Sequence, residues 1–272
     1  MCELMGLSFE RPISADFSIR EFSLRDAENA NGWGLAWYPD RSVTIAKEPV
    51  EWRKSAHTRF LETYQGLRSK VYIAHVRHQT TGGVPTHADT HPFSRELNGR
   101  DYCFAHNGTV PVFRDFPLDR FRPIGSTDSE HIFCHLMAKI SRREDLLNGP
   151  ESWQWLYEEL VTLNQHGKLN CLISDGQRLF CYHDIQAWKG LTLRKLIVRE
   201  GQERRFEDSG ISLDVKEEDE LQSVNHGYVV ATRALTATGW KSFIPGELIV
   251  LEAGALRFSS HPEQRPFVPQ EP

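Results

Sequence analysis

Apolar positions recur along this chain in two rhythms. Short apolar runs bounded by turn residues predict strands at Val43–Ala46, Val71–Val76, Tyr102–Ala105, Leu169–Ile173, Arg178–Tyr182, Tyr228–Ala231 and Glu247–Leu251. Ser174-Asp175-Gly176-Gln177 separates two of these runs, and an Asp-Gly turn between apolar segments predicts a hairpin. In the middle of the chain the period changes. Ile132, Leu136 and Ile140 recur every fourth residue after Asp128, and Trp153, Leu156, Tyr157, Leu160 and Val161 share one face over Glu151–Asn164. The order is strands, two amphipathic helices, then strands again, which predicts an α+β fold.

Composition narrows this picture. The chain has 272 residues, 39% of them hydrophobic, and no Pro/Gly/Ser-rich linker or long charge run divides it, so one large domain over 1–258 is expected. The segment 259–272, rich in Pro, Glu and Gln, reads as a C-terminal tail, flexible or packed on a neighbour. A net charge of -5 gives no basic footprint for nucleic acid. An apolar run of membrane-spanning length is missing, as is a basic N-terminal region leading into an apolar stretch, so membrane insertion and secretion are unsupported and a cytosolic location is expected. Five cysteines without CxxC spacing fit reduced thiols better than a disulfide framework.

One of those cysteines differs from the rest. Cys2 directly follows Met1, and removal of that methionine would put a thiol and a free α-amine on one residue. An α-amine with a pKa of about 7.7–8.0 can take the thiol proton near neutrality, and the thiolate is the nucleophilic form. If Met1 is retained, the amine base is lost.

Four further segments accompany Cys2. Asn31-Gly32-Trp33-Gly34 places a glycine-marked turn before an aromatic strand; Tyr72–Gly83 is an apolar strand ending in Arg77 and a Thr/Gly turn. Phe104-Ala105-His106-Asn107-Gly108-Thr109 ends another strand in Asn-Gly, and Gly125-Ser126-Thr127-Asp128-Ser129-Glu130 is a helix start. Each has an ordinary explanation when taken singly: Arg77 as a surface ion-pair partner, Asn107-Gly108 as a hairpin turn, Thr127 and Glu130 as a capping box.

In their joint order, with Met1-Cys2-Glu3-Leu4-Met5-Gly6, these segments resemble the class II glutamine amidotransferase domain of the N-terminal nucleophile hydrolases. His78 and Thr81 stand where many such domains carry tryptophan and histidine; with Glu3, these departures look more like the family's stand-alone members. The resemblance implies a four-layer αββα sandwich of two mainly antiparallel sheets flanked by helices. It also implies hydrolysis of a γ-amide. Glutamine is a zwitterion, and Arg77 suits its α-carboxylate because a guanidinium binds a carboxylate bidentately. Asp128 suits the α-ammonium. The Asn107 side-chain amide and the Gly108 N–H can stabilise the oxygen that becomes negative when the Cys2 thiolate attacks. The resemblance adds Thr80 as a further substrate-carboxylate ligand.

The expected substrate is glutamine or a γ-glutamyl small molecule, with no metal or organic cofactor. The ammonia could pass to a separate synthase, since no phosphate-binding glycine loop or second catalytic unit follows Asp128. A second reading resembles the γ-glutamyl hydrolase of ergothioneine biosynthesis, acting on a larger intermediate. A third is a non-catalytic sensor that binds glutamine or a partner. The histidines offer one rival chemistry: seven of twelve fall between His75 and His135, and Asp128, His131 and His135 share a helix side where a carboxylate and two imidazoles could hold zinc.

Overall fold

The computed structural model describes residues 2–18, 30–51, 54–64, 67–78, 86–199, 203–208, 211–216 and 224–265. Strands β1 (Glu3–Ser18), β2 (Ala30–Trp37) and β3 (Thr44–Glu48) lead into a short helix α1 (Ala56–Thr63), then β4 (Arg68–His78), β5 (Phe93–Leu97) and β6 (Arg100–Thr109). Helices α2 (Asp128–Ile140) and α3 (Pro150–Asn164) follow. The chain continues through β7 (Lys168–Ser174), β8 (Arg178–Tyr182), β9 (Thr192–Arg199), β10 (Glu203–Asp208), β11 (Ile211–Lys216) and β12 (Val224–Ala231). It closes with β13 (Lys241–Ser242), β14 (Leu248–Glu252) and β15 (Ala255–Ser259).

These strands form two antiparallel sheets. The first runs β13-β9-β12-β1-β4-β2-β3, with β11 pairing the far end of β1 and β10 pairing β11; the second runs β15-β14-β8-β7-β6-β5. Side chains alternate across β1 and divide the core accordingly. Leu4 points between the sheets to Ile73, Ala105, Leu172 and Leu251, while Met5, Leu7 and Phe9 pack outward with Trp33, Leu61 of α1 and Leu235. On the outer face of the second sheet, Phe104, Ile173 and Phe180 pack with Ile132 and Leu136 of α2 and Leu156 and Leu160 of α3. The molecule is therefore an α+β sandwich with helices outside both sheets, the helical cover of the first being only the eight-residue α1 among the described residues.

The two sheets meet closely at Gly6. A Cβ there would lie 2.8 Å from Leu179 Cδ2 and 3.1 Å from Leu172 Cδ1, both on the second sheet.

Several elements depart from the pattern in the sequence. β1 carries no simple alternating signal because it lies between β4 and β12 and is buried on both faces. Asn31-Gly32 is strand rather than turn: Gly32 faces Arg77 across the β2–β4 ladder, with a register shift between Ala30 and Gly32. Asn107-Gly108 likewise continues the β6–β7 ladder, Asn107 opposite Asn170 and Gly108 opposite Leu169. The predicted hairpin is present between β7 and β8, its turn closed by Asp175 Oδ1 accepting from the Gln177 and Arg178 N–H groups. Part of the segment expected as a tail, 259–272, falls within the described residues. Ser259 and Arg265 are buried, and both donate to Glu247, so 259–265 belong to the packed body while 266–272 lie outside the described residues. No helix among the described residues is long and apolar enough to cross a membrane.

Candidate active site

The ladder between β1 and β4 pairs Glu3 with Val76, which brings half-buried Cys2 to the end of β4 where Arg77 lies. Alternation along β6 turns Asn107 inward, toward the first sheet, and His106 outward, toward α2. Asn107 Nδ2 donates to the main-chain oxygen of Cys2 at 2.6 Å. Glu3, next to Cys2, is buried and accepts from the Thr232 hydroxyl, with Arg233 Nε 3.5 Å from its carboxylate. Thr232 also bonds Leu4 through its main chain in one direction and its hydroxyl in the other, fixing the start of β1.

Gly108 has a packing reason to be glycine. A Cβ at that position would meet Lys168 O at 1.9 Å and His106 Nε2 at 2.4 Å, so the side-chain-free residue is required by β7 and its own neighbour. Leu169, opposite Gly108, gives its N–H to Asp184 Oδ2 at 2.8 Å. The pair is therefore of the non-exchanging kind, and the Gly108 N–H faces the β6 edge turned away from β7. Two residues on, the Val110 N–H points to that same edge and donates to Asp128 Oδ2 at 2.7 Å.

Asp128 opens α2. Thr127 caps the helix by accepting from the Glu130 N–H at 3.2 Å, as the expected capping box requires, but the Glu130 carboxylate goes elsewhere. It accepts from the Gly125 N–H at 2.7 Å and from Arg95 at 2.6 Å, a buried charge pair that tethers the helix start to β5. Behind the site, His106 Nε2 donates to Lys168 O at 3.0 Å, so its Nδ1 is the acceptor for the Ser129 hydroxyl at 2.9 Å. Burial lowers the His106 pKa and the nearby Asp128 charge opposes that shift; the ring is a neutral spacer between β6 and α2.

Arg77 Nη1 is buried and has no hydrogen-bond partner among the described residues. Asp89, a carboxylate whose charge interacts with that of Arg77, is already engaged by Ser126 N (2.6 Å), Ser126 Oγ (3.2 Å) and Thr86 Oγ1 (2.7 Å). Burial works to raise the Asp89 pKa, but these hydrogen bonds outweigh it and hold the carboxyl low. Thr80 and Thr81 lie outside the described residues, as does Met1. Cys2, Asn107, Gly108, Arg77 and Asp128 are thus gathered at one end of the sandwich from two strands, one helix and the residue that leads into β1.

The remaining cysteines are unlike Cys2. Burial pushes the Cys103 thiol up to about 12 and also raises those of Cys134, Cys171 and Cys181, so they stay protonated. The α2 histidines are occupied by the main chain: His131 Nε2 donates to Phe116 O at 2.9 Å and His135 Nδ1 to Pro117 O at 2.8 Å. They strap down the β6–α2 connection, which accounts for the side they share with Asp128.

Sequence reasoning missed Asp89, Lys47, His91 and Ser129. Lys47 Nζ donates to Thr90 O at 2.7 Å and Pro92 O at 3.2 Å, and the His91 ring packs at a tilt of 37° against that of His75, centroids 4.2 Å apart, so this segment is held from two sides. Only Gly125 carried a trace of it, since a Cβ there would lie 2.5 Å from Asp89 Oδ1.

Comparison with known proteins agrees with this geometry. The model for class II glutamine amidotransferases matches residues 1–271. An uncharacterised protein of Methanocaldococcus jannaschii is 37% identical over 261 residues, covering 96% of this chain and 72% of the relative. The Escherichia coli (strain K12) protein YafJ, named for a glutamine amidotransferase, is 30% identical over 258 residues, covering 91% of this chain and 96% of its own. Among solved structures, a predicted glutamine amidotransferase from Pseudomonas aeruginosa superimposes with a TM-score of 0.70 at 27% identity, covering 94% of this chain and 99% of the other. Glutamine phosphoribosylpyrophosphate amidotransferase from B. subtilis shares the fold at 17% identity and a TM-score of 0.60, over 95% of this chain and 49% of that one. On a match spanning nearly every residue, the chain belongs to the class II glutamine amidotransferases.

Proposed function

We propose that this chain hydrolyses the γ-amide of glutamine or a γ-glutamyl compound through a thioester on Cys2. The observation that carries the reading is the meeting of Cys2 with Asn107 across the two sheets, beside a guanidinium whose buried Nη1 has no protein partner among the described residues. A buried donor left unpaired is costly, and a substrate carboxylate would satisfy it. Thr80 assists with that carboxylate, and Asp128, whose Oδ2 is held by Val110, presents Oδ1 to the α-ammonium.

In this cycle the α-amine of processed Cys2 takes the thiol proton and the thiolate bonds to the γ-carbon. The carbonyl oxygen gains the negative charge and is met by Asn107 Nδ2–H and the Gly108 N–H. Collapse breaks the C–N bond, the amine leaves with the proton returned by the α-ammonium, and a γ-glutamyl thioester remains. Water, deprotonated by the same amine, then releases glutamate. The cycle calls on no metal or organic cofactor, and suits the cytosol, where thiols stay reduced.

The fate of the nitrogen separates two versions. In the first, ammonia from glutamine passes to a separate synthase; in the second, a γ-glutamyl hydrolase acts on a larger substrate. A sensor that binds glutamine without turnover would need none of this chemistry.

Intact mass spectrometry of the protein, followed by paired glutamate and ammonia assays, tests the proposal. The active form is expected to begin at Cys2 and to release the two products in equal amounts. A fully active preparation that retains Met1 throughout would remove the amine-base mechanism.

A further inference from the structure

The two β7 residues that face the proposed oxyanion donors are both held from behind by one loop. The β7–β8 ladder ends with Cys171 opposite Tyr182. Where it stops, Asp184 takes over with its side chain. Its Oδ2 accepts from the Leu169 N–H at 2.8 Å and from Asn164 Nδ2 at 2.7 Å; its Oδ1 accepts from the Gln186 N–H at 2.8 Å and the Trp188 N–H at 3.3 Å. The same loop clasps Asn170, whose Oδ1 accepts from the Asp184 N–H at 3.0 Å and whose Nδ2 donates to Trp188 O at 2.6 Å. Leu169, Asn170 and Asp184 are all buried, so a donor that loses its acceptor here is left unpaired in the interior.

These residues set where β6 lies at the site. Asn170 is opposite Asn107 and Leu169 opposite Gly108. The strands are tight at this point: a Cβ on Gly108 would meet Lys168 O at 1.9 Å, and His106 Nε2 donates to that same oxygen at 3.0 Å. A shift of β7 here therefore moves Asn107, whose Nδ2 donates to the Cys2 oxygen. The four hydrogen bonds to the Asp184 side chain among the described residues all come from N–H groups, and only a group that accepts through both oxygens satisfies them.

We propose that Asp184 is a positioning residue for the oxyanion pair: it fixes the first residues of β7 and through them holds Asn107 and Gly108 in place beside Cys2. The inference rests on the amidohydrolase reading above. Asp184 lies behind β7 and acts through it. Its effect is felt when negative charge develops on the carbonyl oxygen and not when the glutamyl ends bind, since Arg77 and Asp128 lie on β4 and α2.

Asp184→Asn keeps the shape but turns an NH2 toward N–H donors. In the full-length protein its kcat on glutamine, per active site counted by iodoacetamide incorporation at Cys2, is expected to fall roughly ten- to a hundredfold with KM unchanged. The rate of that alkylation should stay within about twofold of wild type, because sulfur displaces iodide from a saturated carbon and no carbonyl oxygen gains charge. Tyr182→Phe is the control. It removes a hydroxyl that donates to Asn164 Oδ1 at 3.1 Å in the same buried cluster, a bond that reaches neither Leu169 nor Asn170, and should lower thermal stability with kcat unchanged. If Asp184→Asn does not fold, an ester in place of the amide at Leu169 deletes only the N–H that Asp184 accepts, and should lower kcat in the same way. Wild-type kcat in either altered protein, a raised KM in place of the lowered kcat, or an equal loss of kcat in Tyr182→Phe would overturn the positioning role and leave the amidohydrolase reading standing. A wild type that turns over neither glutamine nor any γ-glutamyl amide would take down that reading and this inference with it.

Discussion

Asn107 reaches across the sandwich to donate to the main-chain oxygen of Cys2 at 2.6 Å, so the opposite sheet helps to position the proposed nucleophile. One amide hydrogen is spent there and the other remains for the developing oxyanion. Asn107→Ala removes both. Its kcat on glutamine is expected to fall by about 10²–10³-fold with the fold retained, the usual cost of one oxyanion donor. Steady-state kinetics beside circular dichroism checks this, and a near-wild-type kcat would take Asn107 out of the reaction.

The thiol at position 2 should be unique in reactivity. Cys2→Ala is expected to abolish turnover and leave thermal stability little changed. A glutamine-like diazo ketone should label Cys2 alone, since burial raises the pKa of Cys103, Cys134, Cys171 and Cys181. Peptide mapping that finds the label on Cys103 or Cys134, with activity lost, would relocate the nucleophile.

Gly108→Ala tests packing and chemistry together. The new methyl would sit 1.9 Å from Lys168 O, so β6 and β7 must separate. Overpacking of this kind costs about 1–3 kcal/mol or more. The denaturation midpoint should drop accordingly, and full stability would mean that the ladder yields at this point.

Recognition of the glutamyl ends is separable from the chemical step. Arg77→Lys keeps the charge but loses the two-pronged contact, and is expected to lower kcat/KM by roughly ten- to a hundredfold. Asp128→Asn should do comparable damage and, because Asp128 also accepts from Val110, should slightly loosen the start of α2. A des-amino γ-glutamyl amide should fail on the wild type. Equal turnover of that compound and its parent would remove Asp128 from the substrate site.

Acid should weaken the fold through two histidines. Burial lowers the pKa of His91 strongly and that of His106 as well, while Asp128 partly opposes the latter. Both rings then bind a proton more readily when unfolded, where the ordinary value is about 6.5. Their contribution is intact above that pH and is lost as pH falls through it. Thermal melts at pH 7.5, 6.5 and 5.5 should show a declining midpoint, with a shallower decline in His91→Gln. A flat wild-type profile would contradict this.

Much of the architecture was legible because it repeats. α2 and α3 announced themselves by apolar spacing, and the β7–β8 hairpin by Asp175-Gly176. β1 was hidden because both of its faces are buried, and α1 because eight residues carry too little periodicity. At the candidate site, Cys2, Arg77, Asn107 and Asp128 are singled out by order and chemistry, and the structure brings them to one end of the sandwich. The Asp89 clasp could not, since its partner Ser126 lies 37 residues away and nothing local records the contact. Nor could the role of Gly108, whose constraint comes from a carbonyl on another strand.

The close approach of the sheets at Gly6 gives the proposed catalytic geometry a mechanical dimension. The proposed nucleophile Cys2 and the proposed oxyanion donor Asn107 sit on different slabs, and Gly6, four residues from Cys2, lies where those slabs come close to touching through Leu172 and Leu179. The reacting distance is therefore a readout of interlayer spacing. Methyl groups added at Gly6 would act as shims, and hydrostatic pressure as a clamp, so turnover could serve as a gauge of core compression while each sheet remains intact.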